Sequence, residues 1–422
     1  MPEKIWDTVV VGAGAAGLMT AIQCRRGGLE VLLLDTKPKI GAKILMSGGT
    51  RCNITNAKVL PADFETETPL TLRNILKTFP ADKARQFFEE IGLELVLEEG
   101  GKYFPSTHSG RTVLEAFLLE CDRLGIQLET PRKVTAVRPH PNPLPEGEGK
   151  SLFLLEGEGF SYQSKTVVLC TGGLSYPSTG SDGTGYKIAE TFGHTLVPLT
   201  PSLTPLETDD PQWKSLAGVS LEARLTLRVD GKKKAEFTGG FLFTHTGFSG
   251  PAVLNVSRYW LRETGGRELQ ICFLPQATED RVREELIAEA KNIPTLSVRR
   301  IFAEDLPERL LDVLFEKSGV DGNVQLAHLQ RIGREKLIRN LFYYPLAVTK
   351  AVGYGKAEVT AGGVDLSQVD PRTLESRLRP GLFFAGEILD VDGRIGGFNF
   401  QWAWSSGAAA ARAILARAGK KP

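Results

Sequence analysis

Residues 8–35 read TVVVGAGAAGLMTAIQCRRGGLEVLLLD, and this stretch decides the fold. An apolar run from Thr8 to Val11 leads into a glycine-rich turn. A helical stretch to Arg26 follows, then a second apolar run, Val31 to Leu34, that ends on Asp35. Strand, helix and strand in this order form a βαβ unit. The turn Gly12-Ala13-Gly14-Ala15-Ala16-Gly17 is a G-x-G-x-x-G. Its first glycine permits the tight bend, the second lets the backbone approach a pyrophosphate, and the third lets the helix lie close on the strand. The phosphates would sit at the helix N-terminus around Ala15 and Ala16, where free N–H groups and the positive dipole end favour anions. Asp35 stands where a carboxylate accepts hydrogen bonds from ribose hydroxyls, with Thr36 and Lys37 following as further contacts. An acid there disfavours a 2′-phosphate, so NADP is excluded from this site and NAD or FAD remain.

Two further segments decide between them. After the second strand comes KILMSGGTRCNITN, residues 43–56, read as a loop rich in backbone amides. Lys43, Ser47, Gly48, Gly49, Arg51, Cys52 and Asn53 suit a pyrophosphate and the polar edge of an isoalloxazine ring. Near the other end, residues 381–407 read GLFFAGEILDVDGRIGGFNFQWAWSSG. A strand ends at Gly386-Glu387, Asp390 and Asp392 follow, and a glycine pair opens a last helix. Its N-terminus, around Gly397, Phe398, Asn399 and Gln401, would face the flavin N1 and C2 carbonyl, where negative charge gathers on reduction. NAD alone would not need such an element, so the expected cofactor is FAD.

The 422 residues are 41% hydrophobic and 24% charged, as expected of a folded protein of two to four domains. A net charge of +1 gives no electrostatic reason to expect nucleic acid or an anionic membrane as partner. A small-molecule substrate is expected instead. The five cysteines show no zinc or C-x-x-C spacing and read as free thiols in a reducing compartment. With no signal peptide and no apolar run of membrane-spanning length, the expected location is the cytoplasm.

The fold class expected is α/β. A discontinuous FAD-binding domain of Rossmann type covers 1–197 and 357–422, a β-rich, barrel-like domain covers 198–276 and 342–356, and a small helical domain covers 277–341. Helical patterns run from Asp82 to Ile91 and from Thr112 to Leu124, on either side of a strand from Leu93 to Glu98. The first boundary falls where Pro198, Pro201, Pro205 and Pro211 cluster, and the four prolines of residues 139–149 suggest an exposed hairpin tip.

Several motifs together resemble the aminoacetone oxidase and bile-acid reductase type of bacterial FAD-dependent oxidoreductase, whose FAD domain is of the glutathione-reductase kind. They are residues 8–35, SGGTRCNITN at 47–56, LCTGGLSYPSTGSDGTGYKIAETFGH at 169–194, LFTHTGFSGPAVLNVSR at 242–258, and the C-terminal segment. The likeness covers nearly the whole chain. It implies FAD contacts at Gly12, Gly14, Ala15, Gly17, Asp35, Ser47, Gly48, Arg51, Asn53, Gly386, Asp392, Gly397, Phe398, Asn399 and Gln401, and at Val134 through its backbone; Thr171 and Gly172 are expected cofactor contacts as well. The chain departs from the family at Thr50, where a third glycine is usual, and in the proline-rich insert.

A redox disulfide is excluded as the main mechanism, because only Cys52 lies where disulfide reductases carry a cysteine pair. Cys52 is either a nucleophile or a packed thiol. A second G-x-G-x-x-G is missing, so NAD(P)H, the expected donor, would dock transiently near the flavin. His245 is the first general acid–base candidate and Tyr176 the second. Lys232-Lys233-Lys234 is a charged hairpin turn. The expected activity is oxidation or reduction of a small carbonyl, amine or unsaturated substrate. The alternatives are an amine oxidase that passes electrons to oxygen, an RNA-binding flavoprotein related to tRNA-modifying enzymes, and a non-enzymatic FAD binder.

Overall fold

The computed structural model describes residues 4–141 and 152–421. The chain divides into two compact units, Met1–Thr200 with Glu358–Pro422, and Pro201–Ala357.

The first unit is built on a seven-stranded sheet. Strands Gln127–Glu129, Val31–Leu34, Ile5–Val11 and Phe160–Leu169 lie side by side and parallel. The strand Phe160–Leu169 then divides its other edge. Phe160 to Ser164 pair antiparallel with Phe153–Gly157, while Val167 to Leu169 pair parallel with Leu382–Phe384. A parallel sheet is covered on both faces, which is why its central strands read as unbroken apolar runs. Alternate residues part to opposite sides: Val10, Leu33, Val168 and Phe383 enter one core, and Val9, Leu32, Val167 and Leu382 enter the other. The first core holds the helices Ala15–Arg26 and Gly110–Leu124. The last helix, Phe398–Arg417, supplies Trp404 to this core and Trp402 to the second. It crosses the first helix closely, since a Cβ on Gly407 would come within 2.7 Å of the Ala16 carbonyl oxygen.

Two expected helices form at Ala81–Glu90 and Gly110–Leu124, and a third, Pro69–Thr78, was not anticipated. The strand expected from Leu93 starts at Leu95, because the Leu93 N–H still closes the preceding helix on the Phe88 carbonyl at 2.9 Å. Strands Val134–Pro139 and Phe153–Gly157 pair antiparallel, but the proline-rich tip between them lies largely outside the described residues.

The second unit carries a seven-stranded antiparallel sheet around a core of Trp213, Phe241, Phe243 and Phe248. The ends of the strand path, Tyr344–Leu346 and Lys350–Ala351, are almost consecutive in the chain, so the sheet curls back on itself in the manner of a barrel. Residues 277–341, expected as a helical module of their own, share this core: Leu286, Leu310, Leu314 and Leu337 pack in one cluster with the strands. Among the described residues no helix is long and apolar enough to cross a membrane, and no cluster of side chains could hold a metal ion.

Candidate cofactor site

In an open parallel sheet, ligands bind in the crevice beyond the carboxyl ends of the strands. The Gly12 turn, Asp35, the turn after Cys170 and Gly386 all follow such ends. The Gly12 N–H donates to the Leu34 carbonyl at 2.7 Å. Asp35 braces the turn, its Oδ2 accepting from the Ala13 N–H at 2.7 Å and its Oδ1 from the Lys37 N–H at 2.8 Å. Burial raises the Asp35 carboxyl above its ordinary range, and these two amides oppose that rise. Each oxygen keeps a lone pair for a ribose hydroxyl.

The three glycines divide their work. Gly12 sits at φ +105°, and a Cβ there would lie 2.4 Å from the Cys170 carbonyl oxygen. A Cβ on Gly17 would lie 1.8 Å from the Gly12 oxygen. Both are needed by the chain itself. Around Gly14 a Cβ would meet nothing within 4 Å, so this glycine borders open space in front of the helix. The helix has no side-chain cap and no acid in its first turn, which leaves its first N–H groups for an anion.

The segment expected as a loop from Lys43 begins as a short helix, Ala42–Met46, and Ser47 caps its end. Left-handed backbone follows at Gly48, Gly49, Thr50 and Cys52. Thr50, standing where the resembled family has glycine, holds φ +71° at a cost of roughly 1 kcal/mol. Cys52 is fully buried, and burial pushes its thiol up to about 12 against the pull of Ser47. Burial thus disfavours the thiolate, the form that a nucleophile requires. Arg51 pairs with Glu98 at 2.9 Å and lies over the Phe104 ring.

Asn53 is buried, and its Oδ1 has no hydrogen-bond partner among the described residues. A Cβ on Gly397 would come within 2.8 Å of that oxygen. Gly397, at φ +92°, opens the helix Phe398–Arg417, again without a side-chain cap. An unsatisfied acceptor thus meets a free helix N-terminus, two features suited to the N–H and carbonyl edge of an isoalloxazine ring. Around this point the side chains serve the protein. Phe398 packs edge-on against Phe64, and Asn399 clasps both backbone groups of Gly393 at 2.8 Å. Gln401 is a correction to the sequence reading. Its amide accepts from the Thr55 hydroxyl at 2.6 Å and donates to the Phe79 carbonyl and the Ser405 hydroxyl, so its side chain belongs to the core. The backbone N–H groups of the first helical turn, ahead of the Gln401 N–H that bonds the Gly397 carbonyl at 3.0 Å, are the part of this helix end suited to a ligand. Asp392 is buried in a two-residue strand paired with Glu65, and Val134 is buried at the start of its strand.

Beside the Gly12 turn, a Cβ on Gly386 would touch Ala16 at 2.8 Å, which sets Glu387 against the entrance of the first helix. Glu387 holds Lys43 Nζ at 2.6 Å, and Lys43 also donates to the Ser175 hydroxyl at 2.8 Å. The second oxygen of Glu387 accepts from that hydroxyl at 2.7 Å and from the Thr360 N–H at 2.9 Å. The Thr360 hydroxyl in turn accepts from the N–H groups of Leu174 and Ser175. Tyr176 follows in left-handed backbone, φ +50°. Burial, and then the charge of Glu358, raise its phenol above the ordinary range. Glu358 itself is raised by burial, with Lys43 opposing. Ser175, Glu358 and Thr360 were not among the residues anticipated. Thr171 packs against Gly185, and Gly172 takes φ +70°. His245 is exposed in the turn between strands Lys232–Phe243 and Gly247–Ser249 of the second unit.

The chain matches the model of the HI0933-like protein Rossmann domain over residues 6–413. It is 34% identical over 410 residues to a ribosomal RNA dihydrouridine synthase of Haemophilus influenzae, covering 97% of this chain and 98% of that protein. It is 33% identical over 413 residues to a 3-dehydro-bile acid delta(4,6)-reductase of Clostridium scindens, with the same coverage. Among solved structures, a 3-ketosteroid delta1-dehydrogenase of Sterolibacterium denitrificans superposes with a TM-score of 0.51 at 12% identity, over 98% of this chain and 99% of that one, a likeness of fold. Matched by the family model over nearly its whole length, the chain belongs to the HI0933-like family of FAD-binding Rossmann proteins, which are flavin-dependent oxidoreductases.

Proposed function

We propose that this oxidoreductase reduces a carbon–carbon double bond conjugated to a carbonyl group. One observation carries the reading: the relatives matched along essentially their whole length are named for that chemistry on unlike molecules. Forming dihydrouridine saturates the double bond of a uracil ring next to its carbonyl. A delta(4,6)-reductase acting on a 3-dehydro bile acid saturates double bonds extended from a ketone. Bound flavin supplies hydride transfer, and the protein supplies position and electrostatics. Here the backbone N–H groups at Ala15 would hold the pyrophosphate, those at Phe398 would face the flavin ring, and Asp35 would hold the ribose. Asn53 would accept from the ring edge. Lys43, fixed by Glu387 and Ser175, would supply a cation to this site.

The test is anaerobic. The flavoprotein is reduced with NADH or NADPH and mixed with unmodified ribosomal RNA, or with a 3-keto-4,6-diene steroid, while flavin absorbance is followed. Reoxidation by one of these, with saturated product found by mass spectrometry, is the expected result and names the substrate class. Reoxidation by neither substrate but only by oxygen admitted afterwards, or bleaching of oxidised flavin by a primary amine, would replace the reading with an oxidase.

A further inference from the structure

A flavin gains negative charge at the N1 and C2 carbonyl edge of its ring when it is reduced, so fixed charges nearby set how readily it accepts electrons. Lys43 and Glu387 are two such charges, opposite in sign and in contact. We infer that they set the reduction potential of the bound flavin as an opposed pair: the Lys43 ammonium raises it, and the Glu387 carboxylate holds that rise in check. The effect acts on the cofactor itself, whichever substrate takes its electrons.

The hydrogen bonds around the pair form a closed ring. Lys43 Nζ donates to Glu387 Oε2 at 2.6 Å and to the Ser175 hydroxyl at 2.8 Å, and that hydroxyl donates to Glu387 Oε1 at 2.7 Å. Oε1 also accepts the Thr360 N–H at 2.9 Å, while the Thr360 hydroxyl takes the N–H groups of Leu174 and Ser175 at 2.7 and 3.1 Å. Ser175 is wholly buried, so a carboxylate that left this ring would strand a hydroxyl and an amide. Both oxygens of Glu387 are thus occupied by donors of the protein. The ammonium has three donors and spends two of them, and at 27% against 17% exposure it is the more open group. The free side of the ring is its positive side.

Contacts within the chain set this ring at the cofactor crevice. A Cβ on Gly386, the residue before Glu387, would lie 2.8 Å from the side chain of Ala16, in the first turn of the helix that follows the glycine turn. The segment that runs to Ser175 starts against Gly12, whose Cβ would lie 2.4 Å from the Cys170 carbonyl oxygen and 3.2 Å from the Thr171 nitrogen. Lys43 belongs to the short helix Ala42–Met46, which leads on to the unpartnered oxygen of Asn53. The three side chains therefore come from segments that follow the strands Val31–Leu34, Phe160–Leu169 and Leu382–Phe384, beyond whose carboxyl ends an open parallel sheet takes its ligand. Shielding from water at this place lets a charge act more strongly than it would on the surface.

Wild type, K43M, K43R, E387Q and K43M/E387Q, each with bound flavin, are equilibrated without oxygen against a reference dye, and the ratio of reduced to oxidised flavin at a fixed dye potential is read from absorbance. K43M should lower that ratio at least tenfold, about 30 mV for a two-electron couple. E387Q should raise it at least threefold. K43R keeps the charge and should stay within threefold of wild type, as should the double variant, in which both charges are gone. The measurement involves no turnover, so failure of the reductase reading leaves it untouched. A pair that only held the fold together would cost stability in each single variant without moving the ratio in opposite directions. Ratios within twofold of wild type in both K43M and E387Q, or shifts of the same sign in the two, overturn the assignment. If K43M retains no flavin, E387Q decides: an unchanged or lowered ratio there overturns the pair.

Discussion

Lys43 Nζ lies 2.6 Å from Glu387 Oε2, joining residues 344 positions apart in the chain. Both side chains are largely shielded, at 27% and 17% exposure, so removing one partner strands the other's charge. K43M should lower the unfolding free energy by about 2 to 3 kcal/mol. E387Q, which can still accept from Ser175 and Thr360, should lower it less. In K43M/E387Q the combined loss should be smaller than the sum, and a urea-denaturation double-mutant cycle would measure this.

Gly12 and Gly14 should respond in opposite ways. G12A forces a Cβ onto the Cys170 carbonyl from a left-handed backbone and should leave little folded protein. G14A meets no atom of the chain, so apoprotein stability should change by less than about 1 kcal/mol. The flavin recovered with purified G14A should nevertheless fall several-fold, because the methyl group enters the space proposed for the pyrophosphate. Thermal melts of the apoprotein beside the ratio of flavin to protein absorbance separate the two effects.

All five cysteines are buried, and burial holds the Cys52 and Cys170 thiols up to about 12. An aromatic disulfide reagent at pH 8 should therefore titrate almost no thiol in the native protein and all five after denaturation. C52A should keep its turnover within about twofold of wild type. A fast-reacting native thiol lost in C52A would restore that residue as a nucleophile.

Asp182 behaves differently. Burial would raise its carboxyl, but Lys133 at 2.6 Å and the hydroxyl and N–H of Thr184 together hold it down to about 2. A carboxyl lowered in the folded state adds stability that is complete above its unfolded value, about 3.8, and is lost as pH falls toward 2. The pair is more than a third exposed, which limits its worth to about 1 kcal/mol or less. D182N should melt about 2 °C below wild type at pH 6. The gap should close as the acid limit is approached, and a gap that widened on acidification would contradict the assignment.

How far the site could be read from sequence depends on how local each part is. The glycine turn and Asp35 lie within one βαβ unit, so periodicity and glycine spacing expose them. The opening of the last helix at Gly397 was legible for the same reason. The sequence pattern does not reveal where side chains point: Gln401 and Asn399 sit at the expected helix end, yet their amides are spent on Thr55, Phe79 and Gly393. Lys43, Ser175, Glu358 and Glu387 are gathered by strand order across a long insertion, and no short window of sequence contains two of them. His245 is a candidate through the chemistry of imidazole, which carries no information about place, and it stands in an exposed turn of the second unit.

The parallel pairing of Val167 to Leu169 with Leu382 to Phe384 has a consequence for synthesis. One edge of the strand Phe160–Leu169 awaits a partner that the ribosome makes roughly 200 residues later, an interval of about 10 to 40 s at ordinary elongation rates. Throughout that time a row of unpaired amides and carbonyls is open to other chains. The Pro201–Ala357 unit, whose antiparallel strands all lie within its own span, is produced within the same interval and can close its own core. Truncation anywhere between Ala357 and Phe384 should therefore give a nascent protein with one finished half and one adhesive edge, a natural client for chaperones.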